Sequence, residues 1–262
     1  MGYVFDFHDA KAYEQWLNSP QRRFSAELET RLMVNMLAPM RGESLLDIGC
    51  GTGASLFPFL EMGLQVTGID PSPYMLDIAI ANVMNRVDFY RGFAEDLPFD
   101  DNSFNYACLV TTLEFVDDPL KAVEEACRVA KDRIFIGVLN RYAIKGLERR
   151  LKGIFVTSIF NRARFFSVWE LKQMVQSLMG DPPITWRTVC QLPRAQGRIL
   201  LKLERSALVQ RCPFGAFAGM VVSLVPRFRT RPLTLRYRTG SGGEAVPGLP
   251  LTHLNREGCN HE

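Results

Sequence analysis

The sequence predicts an α/β fold in which helices cover both faces of a mostly parallel sheet. Apolar, strand-like segments alternate with amphipathic helical segments between residues 42 and 140. Alternation of this kind produces parallel strands joined by right-handed crossovers. A glycine-rich turn follows the first strand directly, at the position where such sheets bind ligands. The length of 262 residues suffices for one large domain with a substantial core.

Two helices are predicted before the sheet, at residues 9–18 and 25–37. The strands are predicted at residues 44–48, 65–69, 87–91, 104–110, 133–139, 184–190 and 216–224. Helices between strands are predicted at residues 53–62, 73–84 and 119–129. Asp118 and Pro119 suit the start of the last helix, because aspartate caps helices and proline is favoured at the first helical position.

The turn Gly49-Cys50-Gly51-Thr52-Gly53 connects the first strand to the helix that follows it. Glycines at such a turn let a ligand lie against bare backbone and permit φ values that a Cβ would penalise. Seventeen residues beyond Gly53, Asp70 ends the second strand, where a βαβ unit places a carboxylate that binds ribose hydroxyls. The turn departs from the spacing G-x-G-x-x-G, so an NAD-dependent oxidoreductase is the poorer match.

Two further segments, at residues 92–99 and 104–110, follow the glycine turn and Asp70 in order. Because the glycine turn, Asp70 and these two segments occur in this order, residues 42–140 resemble the class I S-adenosylmethionine-dependent methyltransferases. The resemblance is closest to the broad, methyltransferase type 11-like group that includes the ubiquinone and menaquinone C-methyltransferases. It implies S-adenosylmethionine as cofactor and a Rossmann-like, doubly wound sheet of seven strands whose last strand is antiparallel. Residues 13–16 and the helix after them are similar to that group's N-terminal lid.

The cofactor is expected at the carboxyl ends of the strands. Asp47 is assigned to the ammonium and sulfonium region, or alternatively to holding the glycine turn. Met75 either packs on the adenine or belongs to the core. Phe93 stands where related enzymes commonly carry Asp or Asn, so adenine recognition falls to the adjacent backbone and to Glu95 or Asp96. The expected cofactor-binding residues are Asp47, Gly49, Cys50, Gly51, Gly53, Asp70, Pro71, Met75, Phe93, Ala94, Glu95, Asp96 and Thr111.

Catalysis of methyl transfer requires mainly the alignment of nucleophile, methyl group and sulfur. A general base is needed only if the acceptor must lose a proton. Glu114, four residues past the strand at 104–110, is the first candidate for that base, and the alternative is a water-facing carboxylate at a helix start. His8 and Tyr13 are weaker candidates. No group of His, Cys, Asp or Glu has the spacing of metal ligands, so no metal is predicted.

The acceptor pocket is expected beside an N-terminal helical lid at residues 1–41. The methyltransferase domain is predicted at residues 42–226, with insertions at about 142–166 and 193–213, and a basic, poorly ordered tail at 227–262. Aromatic and guanidinium groups together suit a flat, anionic acceptor. The residues expected to bind it are Tyr13, Trp16, Arg162, Arg164, Phe166 and Trp169.

The formal net charge of +3 conceals a strong asymmetry. Residues 1–130 carry 9 Lys+Arg and 20 Asp+Glu, a balance of −11, whereas residues 131–262 carry 22 and 8, a balance of +14. The basic half is interpreted either as solvated surface or as a contact for an acidic small molecule, an anionic membrane surface or nucleic acid. Nucleic acid is the least favoured partner, because the stacking modules of RNA-binding proteins are missing.

Hydrophobic residues make up 47% of the chain and charged residues 23%, as in ordinary soluble globular proteins. No apolar run is long enough to cross a bilayer, and the N-terminus lacks the pattern of a signal peptide, so a cytoplasmic location is expected. The sequence thus predicts a methyltransferase acting on a small molecule. The alternatives are a lipid-like or RNA acceptor, and a regulatory protein that binds S-adenosylmethionine without catalysis.

Overall fold

The computed structural model of the chain describes residues 2–143, 163–190, 204 and 206–224. The predicted tail at 227–262, most of the two predicted insertions, and Arg162 lie outside the described residues.

The fold is built on one sheet of seven strands, which confirms the predicted fold class. The strands run in the spatial order β3-β2-β1-β4-β5-β7-β6. Strand β7 pairs antiparallel with both β5 and β6, and the other pairs are parallel, so the implied antiparallel last strand is confirmed. The strand bounds are β1 Ser44–Ile48, β2 Gln65–Asp70, β3 Asp88–Arg91, β4 Phe104–Val110, β5 Ala130–Leu139, β6 Ile184–Val189 and β7 Phe217–Ser223.

Seven α-helices are present in the described part of the chain. Their bounds are α1 Phe7–Leu17, α2 Pro20–Leu37, α3 Phe57–Glu61, α4 Pro73–Val83, α5 Pro119–Val129, α6 Val168–Met179 and α7 Ala207–Gln210. A short 3-10 helix, Met84–Arg86, follows α4. Across these helices, no stretch combines the length and the apolar composition needed to span a bilayer.

Three helical expectations differ from the structure. Helix α2 begins at Pro20, five residues before the predicted start at residue 25. The helix predicted at 53–62 is shorter, because Gly51 and Gly53 have φ values of 52° and 75° and keep the chain in turns before α3 begins. Helix α6 was not predicted. Its sequence signal is a capping box, in which the Ser167 hydroxyl accepts from the Glu170 N–H and the Glu170 carboxylate accepts from the Ser167 N–H.

Both faces of the sheet are buried, so neighbouring residues of a central strand enter different parts of the core. On β1, Leu45 packs in the cluster that contains Leu32 of α2, whereas Leu46 packs in the cluster that contains Val123 of α5 and Leu171 of α6. Helix α2 also contacts β5, β6 and β7. The order of strands reverses between β1 and β4, and ligands of doubly wound sheets bind at that switch point.

Candidate active site

A cavity lies at the carboxyl ends of β1, β2 and β4. Its wall is formed by residues 2–5, helices α1 and α2, the glycine turn, and the loops that follow β2 and β4. It encloses about 1250 Å³ of empty space, counted out to its mouth. The cavity therefore brings the strand ends and two helices of the N-terminal segment into one wall, at the switch point where doubly wound sheets bind ligands.

The glycine turn exposes backbone to this cavity. Gly49 and Gly51 both line it and have φ values of 71° and 52°, in the left-handed region. A Cβ on Gly49 would lie 2.5 Å from Thr112 Cγ2, whereas a Cβ on Gly51 would meet no protein atom within 4 Å. Gly49 is therefore required by packing, and the space beside Gly51 is free for a ligand. Gly53 does not line the cavity; its Cα faces Ala79 of α4.

Asp70, at the end of β2, joins the turn to the cavity wall. Its Oδ2 accepts from the Gly51 N–H at 2.9 Å, and its Oδ1 accepts from the Ser72 N–H at 2.9 Å. Burial raises the pKa of Asp70, and the two backbone hydrogen bonds partly offset that rise. A carboxylate offers about four lone-pair sites, so two remain for hydroxyl groups of a ligand.

Asp47 lies behind the glycine turn rather than in the cavity wall. Its side chain is 1% exposed, and Oδ2 accepts from the Ser55 hydroxyl at 2.5 Å. Oδ1 is buried and has no hydrogen-bond partner among the described residues. Burial raises the pKa of Asp47 to about 7. Because Ser55 lines the cavity, Asp47 reaches the ligand space through that hydroxyl.

The loop after β3 supplies the next part of the wall. Phe93, Ala94 and Glu95 line the cavity together with Pro71 and Cys50. Glu95 Oε1 also accepts from the Asp117 N–H at 3.0 Å, which ties this loop to the one after β4.

Two residues expected at the adenine lie elsewhere. Asp96 is exposed and Met75 is buried, and neither lines the cavity. Met75 is instead held in the first turn of α4, where its N–H donates to the capping hydroxyl of Ser72.

Helices α1 and α2 form another part of the cavity wall, the α1–α2 end, and contribute polar side chains to it. Tyr13 and, from α2, Arg22 and Glu29 line it. Arg22 Nη1 donates to Glu29 Oε1 at 2.5 Å, and the Arg22 guanidinium lies 4.7 Å from the centre of the Trp16 ring. Trp16 does not line the cavity but holds Arg22 in place. Burial raises the pKa of Tyr13, whose hydroxyl is hydrogen-bonded to Thr111.

Arg22 and Glu29 were not among the predicted site residues. They stand seven residues apart, two helical turns, and therefore lie on one face of α2 with Met33, which also lines the cavity. That spacing is the only sequence signal for them. It does not show that the face meets the strand ends, because the packing of α2 on the sheet depends on distant residues.

Glu114, the candidate base, is buried beside the cavity but does not line it. The water-facing alternative is wrong, because the side chain is 2% exposed. Oε1 accepts from the Leu139 N–H at 2.6 Å, and Oε2 has no hydrogen-bond partner among the described residues. Burial raises the pKa of Glu114 to about 8. At neutral pH the Glu114 carboxyl group, which lies between β4 and β5, is therefore mostly protonated.

The described residues predicted to bind the acceptor from the chain after β5 do not reach the cavity. Phe166 is 1% exposed in the core, and the Arg164 guanidinium lies over its ring at 5.2 Å. Trp169 is half exposed at the start of α6, where its ring contacts Tyr142. Helix α6 packs against α5 and β7, which carries these side chains away from the cavity. His8 is exposed and outside the wall as well.

Among the described residues, no group of His, Cys, Asp or Glu is arranged to hold a metal ion.

Comparison with known proteins agrees with this geometry. A family profile described as "Methyltransferase domain" matches residues 46–135. An uncharacterised protein of Methanocaldococcus jannaschii is 33% identical over 180 residues, 67% of this chain and 80% of that protein. A crystal structure from Thermotoga maritima, titled an S-adenosylmethionine-dependent methyltransferase and possible histamine N-methyltransferase, is 27% identical with a TM-score of 0.65. The alignment covers 83% of this chain and 96% of that one.

The chain belongs to the class I S-adenosylmethionine-dependent methyltransferases. It is therefore an enzyme with S-adenosylmethionine as its cofactor. The demethylmenaquinone methyltransferase of Renibacterium salmoninarum is 38% identical over 101 residues, 38% of this methyltransferase and 42% of that protein. The methyltransferase thus spans less than half the length of that relative.

Proposed function

We propose that this methyltransferase transfers the methyl group of S-adenosylmethionine to a small molecule bound at the α1–α2 end of the cavity. One observation carries the proposal: a single cavity is lined by Gly51 and Asp70 at one end and by Tyr13, Arg22 and Glu29 at the other. When bound, the cofactor supplies a methyl group activated by the adjacent sulfonium. The residues at the second end then bind and orient the acceptor, which is the main demand of this reaction.

The residues at the first end fit the cofactor. The space beside Gly51 suits the amino-acid portion of S-adenosylmethionine, and the two open lone-pair sites of Asp70 suit the ribose hydroxyls. Phe93, with 37% of its surface exposed, lines the same cavity, where the adjacent backbone and Glu95 are assigned to the adenine. In this assignment Asp47 favours the cationic part of the cofactor through the field of a buried carboxylate.

The N-terminal segment supports a small acceptor over a macromolecule. The Tyr3 N–H donates to the Phe115 carbonyl at 2.9 Å, and the Ser72 hydroxyl donates to the Phe5 carbonyl at 2.6 Å. The Phe5 ring also packs against Phe115 and Tyr13, with ring centres 5.1 and 5.9 Å apart. The chain therefore covers part of the cavity with its own N-terminus.

A second candidate is a lipid-like acceptor. Leu17, Met33 and Phe217 give the α1–α2 end an apolar lining beside its polar groups. The demethylmenaquinone methyltransferase of Renibacterium salmoninarum, which matches 38% of this chain, has a name that refers to a quinone acceptor. An apolar molecule with one polar group would fit both observations.

The proposal is tested in two steps. Isothermal titration with S-adenosylhomocysteine should show binding at a single site. Transfer of label from methyl-labelled S-adenosylmethionine is then measured with three fractions: water-soluble metabolites, a lipid extract and total RNA. Labelling in the metabolite fraction alone is the expected result. Labelling confined to lipid would favour the second candidate, and labelling confined to RNA would contradict both.

A further inference from the structure

The wall of the α1–α2 end contains a buried ion pair. The side chains of Arg22 and Glu29 are 13% and 10% exposed, and one hydrogen bond of 2.5 Å joins them. Burial opposes the charge of Arg22, but the Glu29 carboxylate outweighs burial and holds the pKa of Arg22 above its ordinary value. The Arg22 guanidinium therefore keeps its charge, and its ion pair with Glu29 balances that charge within the pocket.

This pair leaves hydrogen-bonding groups unused. Arg22 Nε is buried and has no partner among the described residues. Among the described residues, Glu29 accepts a hydrogen bond only through Oε1, so its Oε2 also has no partner there. A buried N–H without a partner costs free energy, and unsatisfied groups of this kind are rare in folded proteins. The ion pair, whose two residues both line the cavity, thus includes one N–H and one carboxylate oxygen without a partner among the described residues.

The charges and the unpaired hydrogen-bonding groups of Arg22 and Glu29 indicate which chemical group of a ligand would bind them. An added charged group would disturb a balanced pair and would lose its hydration in a partly closed cavity. A neutral hydroxyl group accepts one hydrogen bond and donates another, which matches the unpaired N–H of Arg22 and the unpaired carboxylate oxygen of Glu29. Met33 and Phe217, on the same wall, suit an apolar body next to that hydroxyl.

We propose that Arg22 and Glu29 form a recognition pair that selects an uncharged hydroxyl group on an acceptor with an apolar or aromatic body. This inference rests on the proposed function, because it assigns the α1–α2 end of the cavity to the acceptor. Tyr13, which keeps its proton, and the ring of Trp16, which holds the Arg22 guanidinium, support the pair.

The first test uses fragments of defined chemistry. The wild-type enzyme is saturated with S-adenosylhomocysteine, and the affinities of phenol, toluene, benzoate and benzylamine are compared by ligand-observed NMR. Phenol should bind at least about tenfold more tightly than toluene, the scale of one hydrogen bond to a charged group. It should also bind more tightly than either charged fragment. Equal binding of phenol and toluene, or tightest binding of benzoate, would overturn the inference.

The second test removes the pair without leaving a lone buried charge. The double variant Arg22→Met with Glu29→Gln should lose the preference for phenol over toluene and should bind S-adenosylhomocysteine within about twofold of wild type. The matched control, Arg31→Met with Glu27→Gln, makes the same changes at exposed positions of α2 and should keep the preference. A double variant that retains the preference contradicts the inference.

Two further readouts keep the outcomes separate. If the double variant does not fold, Arg22→Lys retains the charge but removes the Nε–H, and it should weaken phenol binding by the same factor. A folded Arg22→Lys enzyme that binds phenol as tightly as the wild type contradicts the inference. Failure of the wild type to bind S-adenosylhomocysteine would contradict the proposed function instead.

Discussion

The two ends of the cavity are built in different ways. At the cofactor end, the groups that face the ligand belong to a glycine turn and to Asp70, whose carboxylate is fixed by two backbone N–H groups. At the α1–α2 end, the polar groups are long side chains carried on helices, and Arg22 Nε is left without a partner among the described residues. Backbone geometry at the strand ends therefore serves a constant cofactor. In the proposed assignment, replaceable side chains serve the acceptor, so acceptor choice can change without changing the fold.

The largest expected effect comes from substitution of Gly51, which should weaken cofactor binding at one end of the cavity. Gly51→Val places a branched side chain in space that is free of protein atoms, so binding of S-adenosylhomocysteine should weaken more than about 100-fold, a cost of about 2.8 kcal/mol. Gly42→Val is the matched control, because Gly42 also has a positive φ, 85°, and open space around it, but lies outside the cavity. Isothermal titration measures both. Equal effects of the two variants would mean that backbone strain, not blocked space, explains the loss.

Asp70→Ala should weaken cofactor binding by about 1.5–3 kcal/mol, the scale of a lost hydrogen bond to a charged group. The physical reason is twofold: the ribose loses its acceptor, and the Gly51 N–H loses the carboxylate that holds it. Asp77→Ala, at an exposed position of α4, provides the comparison. Titration with S-adenosylhomocysteine should show no change for Asp77→Ala. A similarly unchanged affinity for Asp70→Ala would remove Asp70 from the site.

Glu114, which is buried beside the cavity, gives a pH-dependent prediction. Its pKa rises from an ordinary value of 4.5 to about 8 in the folded protein, so between these values the folded state holds a proton that the unfolded state has lost. Stability should therefore fall as pH rises through this window, by up to about 1.4 kcal/mol per pH unit. Glu114→Gln cannot ionise and should show a weaker decrease. Urea unfolding at several pH values measures the difference, and parallel pH profiles would contradict this placement of Glu114.

Phe93→Asp should have the smallest effect on cofactor affinity. The substitution introduces the polar residue that related enzymes commonly carry, so S-adenosylhomocysteine should bind as tightly as before or more tightly. A tenfold loss of affinity in the same titration would show that the Phe93 ring already makes an essential stacking contact with the adenine.

The fold could be predicted closely because its signals are local. The strand at 104–110 and the helix at 119–129 have the predicted bounds, since an apolar run and an Asp-Pro cap mark them directly. The shortened helix after the glycine turn shows where local periodicity fails: positive φ values at two glycines override it.

The cavity wall was predicted better at the strand ends than at the α1–α2 end, where Tyr13 is the only described residue predicted to bind the acceptor that lines the wall. Gly51 and Asp70 lie within one βαβ unit, so their spacing in the sequence also describes their proximity in space. Arg22 and Glu29 come from a helix whose position depends on packing against β5, β6 and β7. Phe166 was predicted to line the acceptor pocket because it is an aromatic residue in a basic segment. This prediction was wrong, since Phe166 is buried in the core.

A crystal structure of the enzyme with S-adenosylhomocysteine tests the division between the two ends most directly. The ribose hydroxyls should donate to the Asp70 carboxylate, the amino-acid portion should lie beside Gly51, and the sulfur should face the space lined by Tyr13, Arg22 and Glu29. A ligand whose ribose binds away from Asp70, or whose adenine fills the α1–α2 end, would contradict the account.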